Sequence, residues 1–186
     1  LGYHSGYTNS SGNSNVFLGT KAGACNDYGN ENVFIGKHSG LKNSEGNTNV
    51  FIGTYSGAFN TDGSNNVFLG TLAGGSNESG DSNVFLGTQA GKQNTQGKEN
   101  VFIGYSSGLS NTSGNFDTFI GYQAGANNES GDYNVFLGYQ AGYKNESSSQ
   151  NVFLGTQAGY TNTGNDNVFL GYHSGYTNSS GNSNVF

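Results

Sequence analysis

The apolar residues of this chain gather into one short block that returns at a fixed interval. Asn15-Val16-Phe17-Leu18-Gly19 comes back as Asn32-Val33-Phe34-Ile35-Gly36, then as Asn49-Val50-Phe51-Ile52-Gly53, and so on to Asn184-Val185-Phe186. The interval is 17 residues except between Val152 and Val168, where it is 16. A supersecondary unit repeated at fixed period is the mark of a solenoid, a propeller or an array. Numbering the repeat from its Asn, position 2 is Val except Thr118, position 3 is Phe throughout, and position 4 is Leu or Ile. Positions 5 and 9 are Gly, position 8 is Ala or Ser, and position 12 is Asn. Position 15 is Gly except at Ser148, and the remaining positions are polar and variable.

Positions 1–5 predict a strand, β-branched and aromatic at its centre and bounded by Asn and Gly. Side chains alternate across a strand, so Val and Leu or Ile face one way and Phe faces the other. Both faces are therefore apolar. One can line the coil; the other needs a cover, and a second copy of the chain is the economical one. A weaker extended piece is expected over positions 7–11, and left-handed turns at the glycines of positions 5, 9 and 15. The Phe column (Phe17, Phe34, Phe51, Phe68, Phe85, Phe102, Phe119, Phe136, Phe153 and Phe169) is the expected core or interface ladder. The Asn column at position 12 is the expected turn ladder: Asn9, Asn26, Asn43, Asn60, Asn77, Asn94, Asn111, Asn128, Asn145, Asn162 and Asn178. Identical Asn side chains one strand apart can hydrogen-bond along the stack. The fold class that follows is all-β: a parallel β-solenoid, one coil per 17 residues, with residues 1–186 as a single array of about ten coils. At about 4.8 Å per coil the rod is roughly 50 Å long.

Composition changes this picture little. Gly and Asn make up a third of the chain, which in another context would suggest disorder, but an aromatic at every repeat argues for a buried core. The net charge of −6 with six scattered Lys offers no basic patch for nucleic acid. Cys25 is the only cysteine, and no transmembrane run or signal peptide is visible. Both ends fall inside a motif, and residues 1–17 repeat as 170–186, so a segment of a longer array is expected.

Two irregularities lie between position 12 and the next strand: Ser147-Ser148-Ser149 replaces the usual Gly turn, and the turn at Thr163-Gly164 is one residue short. Both point to an outer loop tolerant of length changes.

Candidate chemistry is thin. His4, His38 and His173 all fall at variable position 7, and the acids Glu45, Asp62, Glu78 and Glu129 never form a fixed pair. No enzymatic activity, cofactor or metal is expected. Asn77-Glu78-Ser79 and Asn128-Glu129-Ser130 match the glycosylation sequon, but on the structural Asn of position 12. Position 6 carries Thr in five repeats, among them Thr54, Thr71 and Thr88, and Tyr in others, such as Tyr105, Tyr122 and Tyr139. A flat Thr or Tyr face is an alternative reading: an ice- or glycan-binding module.

The units NVFLGTQAG, NVFLGYQAG and DTFIGYQAG resemble the head repeats of trimeric autotransporter adhesins and related bacterial and phage surface fibres. The resemblance implies a left-handed parallel β-roll, three chains side by side, and display outside the cell or at its surface. It implies that Val16, Leu18, Gly19 and their equivalents form the strand core. This repeat is longer than the family's, and Phe17 stands where the family has a small residue, so larger coils or a Phe-filled interface should follow. The expected role is structural and adhesive: a homotrimeric fibre segment that can extend end to end and contact a host surface or glycan.

Overall fold

A computed structural model describes residues 1–186. Ten strands, β1 (Val16–Leu18) to β10 (Val168–Leu170), each three residues long, form one parallel sheet in sequence order. Every strand pairs in register with the equivalent residues of the next, Val with Val and Phe with Phe, as at Val50, Phe51 and Val67, Phe68. This is a β-solenoid, as the period predicts. Thr118 takes the place of Val without disturbing the register.

Regularity extends well beyond the strands. Of 126 backbone hydrogen bonds, 108 lie outside them, and most join a coil to its neighbour. The segment from position 6 to position 11 is a run of turns, not the second extended piece that its small residues suggested. Positions 7 and 17 explain why. Each is held in the left-handed region in every coil although neither is Gly: His38, Tyr55 and Leu72 at one, Thr48, Phe116 and Tyr133 at the other, with φ between 51° and 62° across both columns. That conformation costs an L-residue roughly 1–2 kcal/mol. It turns the N–H back toward the preceding coil, so His38 donates to Thr20 O and Thr48 to Asn30 O.

The glycines serve two different needs. Gly40 and its equivalents at position 9 have φ near 57°, and a Cβ there would drive into the Phe ring of the same coil. At position 15 the expected left-handed turn is absent. Gly46 and its equivalents have ordinary φ, but a Cβ would meet the carbonyl oxygen of the same position in the next coil. Close approach, not turn geometry, requires Gly here.

The core is a single file. Phe34 and every later Phe of the column to Phe169 are fully buried, with the Ala or Ser of position 8 beside them. Along the middle of the array the rings stack at 4.8 Å, tilted by only 4–6°. Where position 8 is Ser, its hydroxyl donates to the Phe carbonyl of the next coil, as Ser39 does to Phe51 O at 2.8 Å. Phe therefore points inward. Val16, Leu18 and their equivalents, which the adhesin-like resemblance would place in the strand core, point outward: Val16 is 52% exposed, and the Val, Leu and Ile of the middle strands are half-buried. The large Phe ring fills the coil and leaves no interior room for the aliphatic face.

Candidate functional site

Two Asn columns run through the interior beside the Phe file. At position 12 each Nδ2 donates to Oδ1 of the preceding coil: Asn43 to Asn26 at 2.7 Å, Asn60 to Asn43 and Asn77 to Asn60 at 2.6 Å. The same Nδ2 also donates to the position-15 carbonyl of its own coil, as Asn43 does to Gly46 O. One acceptor is a side-chain amide oxygen and the other a backbone carbonyl, so the two N–H donors of a primary amide satisfy both. At position 1, Oδ1 accepts the next coil's backbone N–H (Asn49 N to Asn32 Oδ1, 2.9 Å) and Nδ2 donates to the position-15 carbonyl of the next coil (Asn32 to Gly46 O, 2.8 Å). The segment between position 12 and the next strand is thus no slack outer loop: positions 12 and 1 are buried along the array. The two sequon asparagines, Asn77 and Asn128, are wholly buried in this network.

The position-1 column contains one acid. Asp117 Oδ1 accepts from Asn134 N and Nδ2, as an Asn Oδ1 does, and Oδ2 receives a 3.3 Å contact from Asn128 Nδ2. What it lacks is the amide donor to the next coil, which Asn100 supplies to Gly114 O and Asn134 to Ser148 O. Burial pushes its pKa up to about 8, against the lowering effect of the Asn134 hydrogen bonds. A protonated Oδ2 regains the missing donor.

The position-12 column breaks once. Asn162 Nδ2 donates to Gly164 O, two residues on, because the turn there is one residue short. Asn145 Oδ1 is left buried without a partner, and the column resumes at Asn178 to Asn162, 2.7 Å. Ser148 sits in the coil just before the short turn. A Cβ thus stands at position 15, where Gly is otherwise required, in the coil next to the deletion. The two irregularities in the sequence are one spatial feature.

Outside, the strand face carries four rows. Positions 2 and 4 form a half-buried aliphatic stripe, bordered by positions 17 and 6, whose side chains are exposed in all ten coils. Tyr105, Tyr122 and Tyr139 stack on one another at 5.3–5.4 Å. Both ring faces of Tyr122 are thereby covered, while Tyr105 and Tyr139 are each stacked on one face. Phe116 and Tyr133 stack likewise at 4.8 Å on the other border. Of the position-7 histidines, His4 and His173 are exposed, while His38 is half-buried. Desolvation and the charges of Lys37 and Lys21 lower the His38 pKa. Cys25 is an exposed free thiol. The single concavity is the uncovered end of the last coil, beside His173, Tyr176 and Phe186. No three or more His, Cys, Asp or Glu side chains converge as a metal site, and no helix is long and apolar enough to cross a membrane. No family model, curated protein or solved structure matches the chain.

Proposed function

We propose that this chain is a non-catalytic structural and adhesive segment of an extracellular or cell-surface fibre, associating side by side with copies of itself. The observation that supports this most directly is the outward aliphatic stripe. It runs along ten strands, from Val16 and Leu18 to Val168 and Leu170, interrupted only by Thr118, and is only half covered by its own coil. A continuous apolar surface of this kind marks an interaction face. Its repeat matches another solenoid of the same pitch better than it matches an irregular globular surface. The rest of the molecule suits a load-bearing role: the interior is filled by stacked rings and amides, with no cleft between coils.

The test is adhesion. Beads carrying the chain should cluster with one another and hold to glycan-coated glass under flow. Beads carrying a variant with Val67, Val84 and Val101 all changed to Thr should not. Equal behaviour of the two would remove the support for this reading.

A second reading has one observation in its favour. Thr54, Thr71 and Thr88 are exposed on three consecutive coils beside the stripe, as a flat ice-binding face requires. Hexagonal shaping of ice crystals by the isolated chain would favour it; round crystals would exclude it. For glycans, the mutual stacking covers both faces of Tyr122, so recognition along the row would run mainly through ring edges and hydroxyls.

A further inference from the structure

The two borders of the outward face are chemically matched, coil by coil. Lys37 is the only lysine of the position-6 row in the ten coils, and the same coil carries Glu31 at position 17. The only aromatics of the position-17 row, Phe116 and Tyr133, share their coils with Tyr122 and Tyr139. The two remaining acids of that row, Glu99 and Asp166, share theirs with Tyr105 and Tyr172, whose hydroxyls can donate to a carboxylate. In the other five coils a neutral polar residue at position 17 accompanies Thr at position 6, as Thr48 accompanies Thr54.

Nothing inside one molecule explains this matching. Positions 17 and 6 lie on opposite sides of the strand, six residues and up to about 20 Å of chain apart. Glu31 and Lys37 form no ion pair with each other; the one salt bridge in the molecule joins Lys98 and Asp81. The matching becomes contact when the face meets a second copy of itself across a twofold axis parallel to the rod. That operation exchanges the two borders at equal height. It sets Glu31 of one copy opposite Lys37 of the other, Phe116 opposite Tyr122, and the Val row opposite the Leu and Ile row. A ten-stranded face meeting its own twofold image covers all four rows at once, which three copies around an axis would not.

From this we infer that the chain forms a parallel, face-to-face homodimer whose register is set by the matched borders. The inference rests on the self-association proposed above and assigns its geometry. A register-setting device is needed because the aliphatic stripe cannot supply one. A copy slid along by one coil still overlaps nine of the ten strands, with aliphatic rows facing each other at nearly all of them. The slide does, however, place Glu31 opposite Thr54 and Tyr133 opposite Thr156. Isologous packing of this kind repeats each border contact twice, and rim charges select partner and alignment more than they add affinity.

Sedimentation equilibrium of the full chain tests this, with circular dichroism confirming that each variant keeps the fold. Wild type should sediment at twice the 19.4 kDa of one chain. Lys37→Glu sets Glu against Glu at both sites and should raise the dissociation constant about five- to tenfold. The exchange Glu31→Lys with Lys37→Glu should bring it back, and high salt should flatten the difference. A mass of one chain at every concentration overturns this dimer and the self-association beneath it. A mass of three chains overturns the twofold geometry. A dimer indifferent to Lys37→Glu, or not rescued by the exchange, overturns the register while self-association stands.

Discussion

Asp117 shows how much one atom matters in a column of identical side chains. Its neighbours in the column are Asn100 and Asn134, and the charge of Asp132 raises its pKa further. The folded-state value of about 8 lies above the ordinary 3.8. Between those values the folded chain holds a proton that the unfolded chain has released, so stability falls as pH rises through that window and is level outside it. The slope is at most about 1.4 kcal/mol per pH unit. Asp117→Asn replaces the proton with an amide. Its melting temperature should match wild type in acid below the window and exceed it in alkali above. Parallel melting curves at the two extremes would contradict this account. The acid is visible in the sequence as the one departure from Asn; its consequence is not, because that depends on burial and on which carbonyl lies opposite. The left-handed residues at positions 7 and 17 were hidden for a related reason. Their side chains vary freely from Leu72 to Tyr133, so no residue type announces the conformation. The hydrogen bond to the preceding coil imposes it.

At the scale of the strand, the alternation of Val, Phe and Leu was plain from the period, and the parallel register follows from it. Which side faces inward was not legible. Periodicity gives two apolar faces of equal standing; ring volume decides between them. Beside the two buried Asn columns, the space around the strand takes one Phe and one Ala or Ser per turn. Phe85→Ala therefore opens a void that cannot collapse, because the strands above and below are fixed by their own rings at 4.8 Å. The expected loss is about 3–5 kcal/mol. Denaturant unfolding should show it as a lower midpoint, and an unchanged midpoint would show that the ring is not supporting the stack. Recurrence likewise exposed the glycines of position 15, but turn chemistry was the wrong reason for them. The close approach of consecutive coils appears only once the coils are stacked.

At the scale of the whole molecule, the rod behaves as a linear sum of coils and of contacts between neighbouring coils. Apart from the Asp117 substitution, every such contact is nearly the same except the one between the coils of Asn145 and Asn162. There a side-chain hydrogen bond is missing and a buried oxygen has no donor, a defect that costs about 1–3 kcal/mol. Native-state hydrogen exchange should reveal it as a step. Amides from Val152 onward should exchange together and sooner than those of the coils around Val84 and Val101. The opposite end of the array should show gradual fraying with no such step. Restoring the regular turn, by inserting one Gly after Thr163 and changing Ser148→Gly, should remove the step. Smooth protection across the junction in the unaltered chain would refute the weakness.

The same junction has a mechanical meaning. In a cable whose links are alike, tension finds no preferred place to yield. Here one link is softer, so a pull along the rod would part the coils at that junction before any other. Strain would be shed at a built-in fuse, and the remaining coils would keep their shape.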